Sequence, residues 1–125
     1  LKEYIFAREK AAAMYDERLI NIDQIQTPYR FPKSTHVFHQ YTLTIKDGSR
    51  DTLQEELTRK GIPNKVYYPV PLHLQKAYNI VGYKKGDIPI SEKLCNSVIS
   101  LPMHTELDDE QIDFICDGIK KFYKK

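Results

Sequence analysis

Between Ile62 and Tyr78 the chain reads Ile-Pro-Asn-Lys-Val-Tyr-Tyr-Pro-Val-Pro-Leu-His-Leu-Gln-Lys-Ala-Tyr. Tyr67, Tyr68, His73, Gln75 and Tyr78 crowd into this one stretch, around Pro69 and Pro71. Proline fixes its own φ and restricts the residue before it, so these side chains sit on a stiff backbone. A plain connector between core elements does not need so many aromatic and hydrogen-bonding groups. The stretch therefore reads as a ligand-facing wall. His73 is its sharpest candidate, because an imidazole can donate to or accept from a sugar, a phosphate or a carboxylate. From spacing alone, a binding role and a structural role for His73 weigh equally. Tyr67 and Tyr68 alternate faces in a strand, so one is expected in the core and the other towards a site, while Tyr78 is expected to pack.

Other reactive side chains give less. His36 and His39 are three apart in what reads as a strand, and so point to opposite faces and cannot chelate one ion. His39 shares a face with Val37, Tyr41 and Leu43 and is expected to be a hydrogen-bonded core histidine. His36 lies at the strand start, within reach of a neighbouring domain or ligand. His104 reads as a surface loop residue or a cap on the Met103 turn. Cys95 and Cys116 form no CxxC pair and stand among apolar neighbours, as buried free thiols of a reducing cytosol would. The chain has no nucleophile motif, phosphate-cradling glycine loop, paired carboxylates or metal-ligand spacing, so no complete active site is visible in it.

The elements that would position the wall follow from periodicity and punctuation. Residues 2 to 20 read as a helix, with Tyr4, Ala7, Ala11, Met14 and Tyr15 on one face. Residues 21 to 35, with Pro28 and Pro32, read as a connector. His36 to Lys46 alternates strictly and reads as the clearest strand, with Val37, His39, Tyr41, Leu43 and Ile45 on one face. Asp51 with Gln54 suggests a capping box for a helix to Lys60, ended by Gly61. Asn64 to Tyr68 reads as a short strand, and Val70 to Tyr78 as a helical turn or two. Pro89 opens a helix to Asn96, Val98 to Leu101 is a third strand, and Asp108 with Gln111 starts a last helix carrying Ile112, Ile115, Ile119 and Phe122. Three strands and several amphipathic helices predict a two-layer α/β (α+β) sandwich, a small sheet covered by helices and preceded by a long linker helix.

Composition bounds the rest. The 125 residues carry 41% hydrophobic and 29% charged side chains, which fits one globular domain rather than disorder. The formal charge of +2 gives no case for nucleic acid or an anionic membrane. The basic cluster Lys120, Lys121, Lys124 and Lys125 ends a helix, where cations are favourable. No apolar run approaches the roughly 18 to 20 residues that span a bilayer, and no signal peptide opens the chain. A chain opening on Leu1, inside a helix, reads as a piece of a longer cytoplasmic protein.

Taken together, the motifs are similar to one known family. His36-Val37-Phe38-His39-Gln40-Tyr41, then Arg50-x-x-Leu53-x-x-x-Leu57-x-x-x-Gly61-Ile62, then Tyr67-Tyr68-Pro69-Val70-Pro71-Leu72-His73, then Ser100-Leu101-Pro102-Met103-His104-x-Glu106-Leu107-x-x-Glu110-Gln111-Ile112 follow in order. The set resembles the C-terminal domain of the DegT-like sugar-nucleotide aminotransferases, pyridoxal-phosphate enzymes of the fold type I class. The resemblance covers nearly the whole chain, most firmly from His36 to Phe122.

The resemblance implies a parent enzyme that moves an amino group from glutamate to a nucleotide-linked keto-sugar, in lipopolysaccharide, O-antigen, glycan or antibiotic sugar pathways. It implies residues 1–35 as linker helix and connector, and 36–125 as the small C-terminal domain. The large domain, which this chain lacks, would hold pyridoxal 5'-phosphate through its own lysine. This chain alone is then expected to bind no cofactor, to carry no catalytic residue and to be inactive. The family's proline-histidine loop maps onto Pro69 to His73, which implies His73 as the leading substrate contact with Tyr67, Tyr68 and Gln75 beside it. The Tyr-Tyr-Pro-Val-Pro-Leu-His-Leu-Gln form resembles members acting on UDP-linked amino sugars, including 3-keto uronates. The partners implied are the nucleotide sugar, glutamate and a second copy of the full-length enzyme. The competing reading is an independent small α/β binding or regulatory module.

Overall fold

The computed structural model describes residues 1–124; Lys125, the last of the basic cluster, lies outside them. The elements are α1 (Lys2–Leu19), β1 (Ile25–Gln26), β2 (Tyr41–Ile45), α2 (Arg50–Arg59), two 3-10 turns (Leu72–Leu74 and Lys76–Val81), α3 (Pro89–Ser97), β3 (Val98–Leu101) and α4 (Asp109–Tyr123). The three strands form one antiparallel sheet in the order β1-β2-β3. The inward residues Tyr41, Leu43 and Ile45 of β2 meet Ile99 and Leu101 of β3. In the ladder Leu43 stands opposite Ile99 and Tyr41 opposite Leu101, so the buried pairs are direct cross-strand neighbours. Against this face pack Ala11, Met14, Tyr15 and Leu19 of α1, Leu53 and Leu57 of α2, and Ile112, Ile115, Cys116 and Ile119 of α4, in one core. The result is the two-layer α/β sandwich that the element pattern calls for.

Local signals decide the helix ends. Asp108 accepts the backbone N–H of Gln111 at 2.8 Å and the Gln111 side chain accepts that of Asp108 at 3.2 Å, completing the capping box. Gly61 adopts φ +72° just past α2, the left-handed conformation that glycine tolerates at a helix end. Asp51 does not cap α2. The helix starts two residues earlier, after Ser49, whose backbone N–H donates to Asp47 Oδ1. Asp51 instead accepts from Arg50 Nε at 2.6 Å.

The sheet departs from the strand pattern in three places. The strand expected over His36 to Lys46 begins only at Tyr41. Phe38 takes φ +47°, which reverses the alternation: its ring is 1% exposed, while Val37 and His39 turn out to solvent. The ring lies under the Arg30 guanidinium, 4.5 Å from its centroid, and the Phe38 N–H donates to His36 Nδ1 at 2.9 Å. His39 is therefore a surface residue, not a core histidine. Next, Asn64 to Tyr68 makes no strand; a single bridge joins Lys65 to Ser100, through bonds of 3.1 and 2.7 Å. The third strand comes instead from Ile25–Gln26 inside the expected connector, paired with β2. The front of α1 also stands clear of the core, with Tyr4 61% exposed. Its second half is locked in by Tyr15, whose hydroxyl donates to Pro102 O at 3.0 Å, and by Asp16, which accepts from the Tyr41 hydroxyl at 2.6 Å.

Candidate functional site

The Ile62–Tyr78 stretch leaves the sheet edge after the Lys65 bridge and runs over the surface into the two 3-10 turns. Both tyrosines face out: Tyr67 and Tyr68 are 46% and 70% exposed, so neither enters the core. Their rings meet edge to face at 6.0 Å. With Gln75 they line a hollow of about 680 Å³, floored by Thr42 of β2, Val98 of β3 and Leu94 and Cys95 of α3. That volume lies within the range of small-molecule pockets. Gln75 donates to Val70 O at 3.4 Å, a long bond that closes the proline loop on itself. Tyr67, Tyr68 and Gln75 are thus brought together, as the sequence suggests.

His73 is not in that hollow. It lines an adjoining one of about 280 Å³, with Tyr78, Val81, Tyr83 and Ile88; the two share Leu72 and Ser91. Tyr78 stays 42% exposed on this wall instead of packing. His73 itself is 7% exposed. Its Nε2 lies 3.0 Å from Glu92 Oε1, and its ring meets the edge of Tyr83 at 6.2 Å. The same Glu92 oxygen accepts the Gly86 N–H at 2.7 Å. The Gly86 bond, and then the His73 bond, hold the Glu92 carboxyl below its ordinary pKa.

Glu92 is the residue that sequence reasoning missed, and its signal was weak: a carboxylate in the first turn of α3 reads as a helix-dipole residue. Arg50 was missed as well. It is 7% exposed and its Nη1 donates to Cys95 O at 3.0 Å and Val98 O at 3.1 Å. One guanidinium thereby fixes the junction of α3 and β3 that floors the larger hollow. The Thr42 and Ser100 hydroxyls, 2.8 Å apart, tie β2 to β3 on that side.

His36, His104 and Cys116 stay apart from the wall. His36 serves as acceptor for Phe38. His104 is exposed, 3.4 Å from Glu106. Cys116 is buried and desolvation pushes its thiol up to about 12, whereas Cys95 is only half-buried. No cluster able to hold a metal ion occurs among the described residues, and no helix among them is long and apolar enough to cross a membrane.

A pyridoxal-phosphate site needs a desolvated lysine facing a cavity, since burial is what turns an ammonium into a nucleophilic amine. The described lysines do not fit. Only Lys60 and Lys120 are not exposed, and they face Glu56 at 3.2 Å and Asp117 at 3.9 Å. The geometry offers two hollows lined by aromatic and polar side chains, with no covalent anchor among the described lysines.

Comparison with known proteins gives this wall a context. A family model described as the DegT/DnrJ/EryC1/StrS aminotransferase family matches residues 1–120. The Pleiotropic regulatory protein of Geobacillus stearothermophilus is 43% identical over 94% of this chain and 32% of its own length. The UDP-2-acetamido-2-deoxy-3-oxo-D-glucuronate aminotransferase of Pseudomonas aeruginosa is 37% identical over 94% of this chain and 31% of its own. The crystal structure of DesV from S. venezuelae, in complex with a ketimine intermediate, superposes with a TM-score of 0.93 at 28% identity, covering 99% of this chain and 33% of that one. The chain spans about a third of the length of the relatives it matches.

Proposed function

The chain belongs to the DegT/DnrJ/EryC1/StrS aminotransferase family, and from that premise we propose that it is the C-terminal, substrate-cleft part of a sugar aminotransferase. The intact enzyme, a homodimer, transfers an amino group from glutamate to the keto carbon of a nucleotide-linked sugar used in polysaccharide or glycan synthesis. Pyridoxal phosphate, held by the rest of the polypeptide, supplies the electron sink for that exchange. The residues of this chain bind and orient the sugar nucleotide.

The observation that carries this reading is a match running almost end to end along the chain while covering about a third of each relative. The name of the Pseudomonas relative supports a UDP-linked 3-keto sugar as substrate. The wall suits such a ligand. Tyr67 and Tyr68 offer ring faces for a base or the C–H face of a pyranose, their hydroxyls and Gln75 offer polar partners, and Pro69 and Pro71 hold them stiffly. His73 contacts the ligand from the adjoining hollow. A second domain closing over this wall would exclude water and fix the reacting carbon.

The rival reading, an independent small binding or regulatory module, finds an echo in the name of the Geobacillus relative, of which the chain again covers 32%. The two readings part in one assay. The intact protein, given pyridoxal phosphate, glutamate and UDP-2-acetamido-2-deoxy-3-oxo-D-glucuronate, is expected to form the 3-amino sugar, while residues 1–125 alone form none. Absence of amino transfer to any nucleotide-linked keto-sugar would overturn the proposal.

A further inference from the structure

We propose that Glu92 is the positioning residue for His73, fixing its imidazole as the Nε2–H tautomer so that Nδ1 faces the ligand as a hydrogen-bond acceptor for a sugar hydroxyl or amide N–H. This deepens the proposed function and rests on His73 being a ligand contact.

The geometry narrows what the sequence left open. An ionised carboxylate only accepts. With Nε2 at 3.0 Å from Glu92 Oε1, the proton of that bond sits on Nε2. In the neutral imidazole the lone pair is then on Nδ1, and the ring's hydrogen bond among the described residues is the one from Nε2. The side chains of both partners are shielded, His73 at 5% and Glu92 at 13% exposure, so water competes little for the bond. The Gly86 N–H to the same oxygen at 2.7 Å holds the carboxylate in ionised form and pins it from the loop before α3. His73 is further aligned by the edge of Tyr83. Pro71 before the 3-10 turn and α3 behind it leave the ring little freedom. An acceptor in a small, largely apolar hollow selects a ligand O–H or N–H and disfavours a phosphate or carboxylate oxygen, which would meet lone pair against lone pair.

The test uses the intact protein with UDP-2-acetamido-2-deoxy-3-oxo-D-glucuronate as probe, together with 15N spectra of its imidazoles. In wild type and in Glu92→Gln, whose amide oxygen still accepts, His73 is expected as the Nε2–H tautomer near pH 7.5. In Glu92→Ala the tautomers are expected to mix. The KM of the sugar nucleotide is expected to rise about two- to tenfold in His73→Ala and in Glu92→Ala, with kcat changing less. Glu92→Gln should stay close to wild type, and the double variant should be no worse than His73→Ala. An Nδ1–H tautomer or an imidazolium in wild type would overturn the acceptor role. A raised KM in His73→Ala with an unchanged one in Glu92→Ala would overturn the role of Glu92 and leave the proposed function standing. An unchanged KM in His73→Ala would remove His73 from the site and this inference with it.

Discussion

A carboxylate that accepts two hydrogen bonds resists protonation, and Glu92 accepts from Gly86 and His73. Its folded pKa lies below the ordinary 4.5. It therefore contributes stability that is present above about that value and is lost as pH falls through the lower folded value. Denaturation of Glu92→Gln between pH 6 and pH 2.5 is expected to give a flatter acid limb than wild type, and parallel curves would deny the clasp. The cysteines separate in the same local way. Cys116 is buried with its thiol pushed up to about 12, and Cys95 is half-buried beside the larger hollow. A disulfide reagent at pH 8 is expected to label Cys95 in the native chain and Cys116 only after unfolding; fast native labelling of Cys116 would contradict its packing. On the wall itself Tyr68, 70% exposed, supports no core. Tyr68→Ala in the intact protein should leave thermal stability nearly unchanged and raise the KM of the sugar nucleotide by about tenfold, the scale of one lost stacking surface. Among site residues, the stiff aromatic cluster was legible because its residue types are unusual for a connector. The Glu92 partner was not, because a pairing across nineteen residues of irregular chain leaves no periodic trace.

The elements written in local signals formed where the sequence put them. The last helix has a full capping box, α3 has proline in its first turn, and β3 is a short apolar run stopped by Pro102. Elements that depend on distant partners were misread. The stretch from His36 to Gln40 alternates like a strand, but burial of the Phe38 ring under Arg30 outweighs continued pairing and turns the backbone left-handed. Asn64 to Tyr68 has strand composition, yet it meets the outer edge of β3 through the single Lys65–Ser100 bridge before running on into the Pro69–Pro71 loop. At this scale Asp108→Ala is expected to cost about 1 kcal/mol by urea denaturation, since it releases the Gln111 N–H at the start of α4. Leu43→Ala, at a fully buried position between α-helices and β3, should cost about 2–5 kcal/mol. A Leu43 variant as stable as wild type would mean that the sheet face is not the core.

Across the whole molecule, the covered face of the sheet is complete and the region of the two hollows is half built. No residue of α3 is buried, and Tyr68, Val70, Leu72 and Leu94 leave apolar area in solvent around the larger hollow. A wall of this kind suits a cleft closed from the opposite side, and the described lysines offer no desolvated cofactor anchor for it. We propose a division of labour, with the substrate wall here and the cofactor's lysine elsewhere in the polypeptide. The most direct measurement is borohydride reduction of the intact protein loaded with pyridoxal phosphate, followed by peptide mapping. The pyridoxyl group is expected on one lysine outside residues 1–125. A stoichiometric pyridoxyl group on any lysine within them would contradict it.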